Sequence, residues 1–286
     1  MRLKLRNNIC FMSVIVALLL CVSFNFRYFK ADAQTYGTSA ASAIVVERTS
    51  GKVLYSKNAD EKRPIASTTK ILTALTVLRI CKDLEETVTV PDEAVGVEGS
   101  SIYLARGEKL RIIDMLYGLM LQSGNDCAVA LAVTTAGSVE KFARLMNETA
   151  RASGASNSNF VNPHGLPDSD HYSTAADMAL IACAAMRNDV FREIVATKVY
   201  KDCTWKDHEY NRTINNKNKI LSMLEGGNGI KTGYTKAAGR CLVSSAQRNG
   251  KEVICVVLDC GPMFEDSCKL INAAFEELEK DAAAKE

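Results

Sequence analysis

Two short apolar runs, Ser42 to Arg48 and Val53 to Tyr55, flank the polar tetrapeptide Thr49-Ser50-Gly51-Lys52, a pattern that predicts a strand, a turn and a second strand. The middle of the chain changes period. After Pro64, the residues Ile71, Leu75 and Leu78 recur at helical spacing, and Ile112 to Leu121, Cys127 to Val133, Phe142 to Met146 and Ala175 to Met186 are further apolar stretches that predict helices. Three β-like runs follow: Ile230 to Thr235, Arg240 to Ala246 and Glu252 to Leu258. The last two meet across Asn249-Gly250, a dipeptide suited to a two-residue hairpin turn. The final segment sets Phe264, Cys268, Ile271, Phe275 and Leu278 on one helical face, bordered by Glu265, Asp266, Glu276, Glu277 and Glu279. Those acids oppose an anionic membrane surface, so the face is expected to pack on the protein. Strands from both ends around a helical block predict an α+β fold, with one antiparallel sheet built from both chain ends and the central helical block packed on it. No repeat, low-complexity stretch or Pro/Ser-rich linker divides the chain, so residues 34–286 read as a single domain with no C-terminal β domain.

The first 33 residues follow another pattern. Arg2, Lys4 and Arg6 precede an apolar run from Ile9 to Phe24, and Ala31-Asp32-Ala33 is a small-x-small cleavage site. Residues 1–33 therefore predict an export signal, with the mature chain starting at Gln34. An uncleaved anchor is the alternative, although about 16 apolar residues are marginal for a permanent span. This segment also changes the charge balance. The formal net charge is +2, but five of the 35 basic and one of the 33 acidic residues lie in it, which leaves the rest of the chain at −2. Without a basic run or face, the electrostatic footprint of nucleic-acid binding is missing. At 47% hydrophobic and 24% charged residues, with 5 Pro and 17 Gly, the composition excludes disorder, collagen and coiled coil.

Ten cysteines would suggest disulfides in an exported protein, but Cys10 and Cys21 belong to the signal. The other eight are scattered, with no C-x-x-C pair, which favours buried free thiols over a disulfide framework or a zinc site.

The candidate chemistry begins at Ser67-Thr68-Thr69-Lys70, just after Pro64. A spacing of three on a helix puts the Lys70 amine within reach of the Ser67 hydroxyl, and the helix start favours an oxyanion there. Such a motif is short, and Ser138-Val139-Glu140-Lys141 fits it equally well. The difference lies in the company it keeps. Ser123-Gly124-Asn125 is the only S-x-N between Ser67 and Lys231-Thr232-Gly233, itself the only K-T-G, and the order S-x-x-K, S-x-N, K-T-G is that of the penicillin-recognising serine enzymes. Ser138 has no such partners and reads as helix surface. His164, Asp168, Asp170 and His171 are candidate metal ligands, but the Pro and Gly among them point to a rigid loop. No G-x-S-x-G elbow supports a hydrolase triad through His164 or His171, and Trp205 reads as a packing residue.

With these motifs the sequence resembles the low-molecular-weight penicillin-binding proteins that are D-alanyl-D-alanine carboxypeptidases, serine peptidases of the S11 type. Gly51 to Tyr55, Ala66 to Leu75, Leu116 to Ala130, Asn162-Pro163-His164-Gly165-Leu166, His171 to Thr174 and Gly229 to Thr235 extend the likeness over residues 40 to 275. The resemblance implies a β-lactamase/transpeptidase-like fold, no cofactor and no metal. It makes Ser67 the nucleophile and Lys70 its general base, kept neutral by desolvation and by the charge of Lys231. Ser123 would relay protons, and Asn125 would hold Lys70 and the substrate amide. Lys231 and Thr232 would grip the substrate carboxylate, Gly233 would let the peptide lie along the strand, and the backbone N–H groups of Ser67 and Tyr234 would form the oxyanion hole. The implied substrates are peptidoglycan pentapeptide stems ending in D-Ala-D-Ala, met on the outer face of the cytoplasmic membrane, in the wall or outside the cell, with β-lactams as acylating inhibitors and membrane contact only through an uncleaved N-terminus.

The alternatives are a β-lactamase on the same fold, a DD-endopeptidase or transpeptidase, and a catalytically idle wall-binding protein. The complete motif set argues against the last. Against the first, residues 154–175, where a class A lactamase would carry its hydrolytic Glu, contain no Glu, only Asp168 and Asp170.

Overall fold

The computed structural model describes residues 37–284; the predicted export segment and Gln34 lie outside them. Strands β1 (Ser42–Glu47) and β2 (Val53–Lys57) come from the start of the described chain, and β7 (Gly227–Thr235), β8 (Gly239–Arg248) and β9 (Lys251–Leu258) from its end. They form one antiparallel sheet in the order β2-β1-β9-β8-β7. The sheet is thus assembled from both chain ends, as expected. The apolar run of β9 makes it the central strand, buried from Glu252 to Leu258. Asn249 at φ 47° and Gly250 at φ 74° close the β8–β9 hairpin.

The helices are α1 (Lys70–Ile80), α2 (Ile112–Leu121), α3 (Asn125–Ala136), α4 (Val139–Ala152), α5 (Ala175–Ala185), α6 (Asp189–Ala196), α7 (Ile220–Met223) and α8 (Met263–Ala283). α1 runs through the middle of the helical block and touches α2 to α6. Of its expected stripe Ile71 is buried and Leu75 and Leu78 are half-buried, while Leu72, Ala74 and Val77 are buried outright, because neighbours surround the helix. α5 is apolar all round for the same reason, lying between the sheet and α1. On the other sheet face, α8 buries Leu270, Ile271, Ala274 and Phe275 against β8 and β9, flanked by Phe264, Cys268 and Leu278. No helix among the described residues is long and apolar enough to cross a membrane.

Two small sheets lie outside the sequence expectation. β3 (Thr87–Thr89) pairs with β4 (Lys109–Arg111), and β5 (Val199–Cys203) with β6 (Arg212–Asn215). The eight cysteines here are free thiols, six of them buried. Ser138 caps α4, its hydroxyl accepting from the Lys141 amide at 3.2 Å, so the second S-x-x-K is a helix start on the surface.

Candidate active site

Ser67 lies on a 3-10 turn, Ala66–Thr69, that leads into α1. The turn is tightly held. Ala66 has φ 48°, and its carbonyl packs on Gly165, where a β-carbon would come within 2.0 Å of that oxygen. Gly165 is therefore fixed by close approach as well as by its own φ of 84°.

Lys70 is fully buried, and its Nζ has three neighbours: Ser67 Oγ at 3.0 Å, Asn125 Oδ1 at 2.7 Å and the His164 carbonyl at 2.7 Å. Burial pushes its pKa well below the ordinary lysine value, and the charge of Lys231 adds to the effect. A neutral amine has two N–H donors and one lone pair. Asn125 Oδ1 and the His164 carbonyl can only accept, so they consume both donors and leave the lone pair facing the Ser67 hydroxyl. That is the arrangement of a general base beside a nucleophile.

Asn125, the first residue of α3, is itself oriented: Nδ2 donates to the Glu98 carbonyl at 2.6 Å, which fixes Oδ1 toward Lys70. Ser123 is nearly buried, with φ 64°, and no hydrogen bond links its hydroxyl to Ser67, Lys70 or Lys231 among the described residues.

The edge strand β7 brings in the third motif. A β-carbon on Gly233 would meet Ser67 N at 2.9 Å and Thr68 N at 3.1 Å, so only glycine lets the strand lie this close to the Ser67 turn. Tyr234 follows with its side chain 65% exposed, leaving its backbone at the strand edge beside Ser67. Lys231 is 2% exposed, in no ion pair among the described residues, and donates to the Thr232 carbonyl at 3.1 Å. Its pKa is pushed down to about 7, first by burial and then by the positive charge of Lys217. A buried cation without a counter-ion is a site for an anion.

Three residues that frame the site were not singled out from the sequence. Lys217 donates to the Gln122 carbonyl at 3.2 Å, next to Ser123, and adds a second positive charge near Lys231. Asp126 accepts from Ser101 Oγ, Ile102 N and Leu104 N at 2.6 to 3.1 Å, clamping the loop whose Glu98 carbonyl holds Asn125. Arg212 on β6 holds the same loop through the carbonyls of Ile102 and Tyr103 and a buried ion pair with Glu108 at 2.6 Å. Asp126 had a local signal, as a carboxylate beside the S-x-N motif. Arg212 acts across about a hundred residues and had none.

The histidines pack around the Ser67 turn, His171 through Thr69 and His164 through its carbonyl on Lys70. Burial, with Lys70 nearby, pushes His164 down to about 3, and burial pushes His171 down to about 4 against the pull of Asp168. Val161 N donates to His171 Nδ1, so Nε2 carries the proton and donates to Thr69 Oγ1 at 2.8 Å. Among the described residues, no three His, Cys, Asp or Glu side chains are grouped to hold a metal. The Asp170 amide donates to Asp168 within their own loop, and among the described residues no carboxylate hydrogen-bonds to Ser67 or Lys70.

The sequence profile of the D-alanyl-D-alanine carboxypeptidases, peptidase family S11, matches residues 29–261. Over 247 residues the chain is 34% identical to the D-alanyl-D-alanine carboxypeptidase DacF of Bacillus subtilis, an alignment of 84% of this chain and 63% of that protein. It is 37% identical over 263 residues to the D-alanyl-D-alanine carboxypeptidase of Streptomyces sp. strain K15, covering 86% of this chain and 90% of the other. The crystal structure of the Streptomyces K15 DD-transpeptidase is similar with a TM-score of 0.79 at 35% identity, over 84% of this chain and 98% of that one. The chain thus spans less than two thirds of the Bacillus protein's length and nearly all of the Streptomyces structure. A profile that covers most of the chain, and a relative matched over nine tenths of its length, establish that this protein belongs to the D-alanyl-D-alanine carboxypeptidase family of serine peptidases.

Proposed function

We propose that the protein is a serine DD-carboxypeptidase that removes the terminal D-alanine from peptidoglycan stem peptides through an acyl-serine intermediate, outside the cytoplasmic membrane. The observation that carries this reading is the Lys70 amine, whose two N–H groups are engaged by fixed acceptors while its lone pair faces Ser67. The export signal predicted for residues 1–33 supports the compartment.

The substrate's terminal carboxylate binds at Lys231 and Thr232, and the peptide adds as a strand to the free edge of β7. Ser67 Oγ attacks the carbonyl carbon of the penultimate D-alanine while its proton passes to Lys70 Nζ. The oxyanion is held by the backbone N–H groups of Ser67 and Tyr234. As the C–N bond breaks, the Ser123 hydroxyl hands a proton to the departing D-alanine amine and takes one in turn from the Lys70 ammonium, which returns Lys70 to its neutral form. Departure of the D-alanine opens room for water, which attacks the ester. Lys70 takes the water's proton and passes it to Ser67 Oγ as the ester C–O bond breaks. A penicillin's leaving nitrogen stays tethered to the acyl group, and among the described residues no carboxylate hydrogen-bonds to Ser67 or Lys70 to activate water, so the penicilloyl ester persists where the peptidyl ester turns over.

The test is product analysis with a pentapeptide muropeptide. Free D-alanine and a tetrapeptide should appear with wild type and not with Ser67→Ala. Cleavage confined to cross-linked dimers would point to an endopeptidase, transfer to an added amine to a transpeptidase, and rapid penicillin turnover without D-alanine release to a β-lactamase.

A further inference from the structure

The β5–β6 hairpin carries a group of aromatic side chains that the catalytic centre does not use. Its base is fixed to the body of the fold. The Tyr200 ring stacks on Tyr117 with centroids 3.8 Å apart, its hydroxyl donates to Asp114, and Thr204 Oγ1 donates to the Lys109 carbonyl at 3.3 Å. Arg212 adds its buried pair with Glu108 at 2.6 Å and donates to the Thr204 carbonyl.

The tip, residues 204–211, is built on the same arginine. The Arg212 guanidinium lies 5.5 Å from the centroid of the Trp205 ring, and the His208 ring stacks on Trp205 at 3.9 Å with 25° between the planes. Trp205 is thus the packing residue expected of it, and half-buried. The His208 amide closes the turn by donating to the Trp205 carbonyl at 3.1 Å, and Tyr210 meets Trp205 edge-on at 6.0 Å and His208 at 5.5 Å. The stack does not end in core, however: His208 is exposed, and Tyr210 is 64% exposed. A rigid arm that ends in open rings is an interaction surface.

Arg212 also ties this tip to the active site. It donates to the carbonyl of Tyr103, which is 76% exposed, at 3.0 Å. The Tyr103 loop is the one clamped by Asp126, and its Ser100 carbonyl accepts from the Asn125 amide at 2.7 Å.

Charge and ring chemistry select the partner. Residues 198–211 carry Lys198, Lys201 and Lys206 against Asp202, Asp207 and Glu209, a net of zero, so neither an anionic lipid surface nor a polyanion is drawn to the arm. Open aromatic faces suit the C–H faces of a pyranose, whose weakly positive hydrogens meet the negative face of the ring. Asp207, Glu209 and Asn211, all exposed beside the rings, suit its hydroxyl and N-acetyl groups. The proposed reaction supplies such a partner, since stem peptides hang from a chain of acetylated amino sugars, and the inference rests on that reading.

We propose that the aromatic tip of the β5–β6 hairpin is a carbohydrate platform that seats the glycan chain of the wall polymer, with His208 and Tyr210 as its open rings, so that peptides borne on glycan are processed more efficiently than the same peptides free in solution.

Trp205 is the only Trp in the chain, so tryptophan emission reports on this tip alone. Titration with the N-acetylglucosamine tetramer should change that emission saturably. Tyr210→Ala, which leaves the His208 stack on Trp205 in place, should weaken the apparent affinity at least about tenfold, equal to roughly 1.4 kcal/mol. In parallel, kcat/KM for D-alanine release is compared for pentapeptides borne on glycan chains and for the free pentapeptide. The double variant His208→Ala/Tyr210→Ala should lose at least about tenfold on the glycan-borne substrate, with the free pentapeptide and the rate of acylation by benzylpenicillin unchanged. An emission that does not respond to the tetramer would overturn the platform. So would a response to phosphatidylglycerol vesicles in its place, undiminished turnover of the glycan-borne substrate by the double variant, or equal losses on both substrates. In each of these cases, acylation of wild-type Ser67 by benzylpenicillin leaves the carboxypeptidase reading standing. Failure of that acylation would instead strike the reading on which the platform rests.

Discussion

Raising the pH from 7 to 9 should disable binding of the substrate's carboxylate before it affects chemistry. Lys231 is buried, has no counter-ion, and has its pKa pushed down to about 7 by burial and by Lys217. Carboxylate capture needs the ammonium form. In the free enzyme that form is half populated near pH 7 and falls to about one part in a hundred by pH 9, so kcat/KM should drop about fiftyfold between the two. Once the carboxylate is bound, it favours the charged lysine and raises its pKa, so kcat at saturation should be nearly spared and KM should absorb the loss. The acid limb has the opposite sign: Lys70 must be neutral to accept the Ser67 proton, so activity falls as pH drops below its depressed pKa. The assay is release of D-alanine from an acyl-D-Ala-D-Ala peptide across pH 5 to 10, run beside the C-terminal amide of the same peptide. The amide should be a poor substrate with no alkaline limb of this kind, and Lys231→Arg, whose guanidinium stays charged, should lose the limb for the carboxylate too. A flat profile from pH 7 to 9, or the same fall for acid and amide, would refute the assignment of Lys231.

Gly233→Ala places a β-carbon 2.9 Å from Ser67 N, so the strand or the nucleophile's turn must shift; acylation by benzylpenicillin should slow by about a hundredfold or more with the fold intact by circular dichroism, and an unchanged rate would contradict the close approach. Arg212→Met strands Glu108 in the interior and should lower unfolding free energy by about 3–5 kcal/mol in denaturant titration, much of it recovered by adding Glu108→Leu. If the double variant is no more stable than the single, the pair is not what holds the loop over Asn125. Removal of residues 262–286 bares the sheet face covered by α8 and should leave an unfolded or aggregating chain in gel filtration; a stable, active truncation would count against α8 as part of the core.

The sequence disclosed those parts of the fold whose determinants are local. Asn249-Gly250 marked its hairpin because only residues tolerant of positive φ close it, and the ordered motifs marked the site because each fits within four residues. The stripe read for α8 was right but incomplete: Leu270 and Ala274 fill it between Phe264 and Phe275. β3 and β4 are three residues each, too short for a period to register, and β5 exposes most of its side chains, so no alternation betrayed it. The two S-x-x-K motifs were indistinguishable locally. What separates them is tertiary: Lys70 is enclosed by Asn125 and the His164 carbonyl, whereas Ser138 caps a helix whose start lies at the surface. Lys217 and Arg212 owe their places to contacts across the fold, which no window along the chain contains.

The central claim is that Ser67 is a nucleophile activated by a neutral Lys70, and acylation by benzylpenicillin tests it most directly. Intact mass spectrometry, followed by peptide mapping, should show one drug molecule per protein on the peptide carrying Ser67, formed in a single burst and lost over minutes or longer. Ser67→Ala should abolish the adduct and Lys70→Ala should slow its formation by orders of magnitude. An adduct on Ser138, or undiminished labelling of Ser67 without Lys70, would contradict the account.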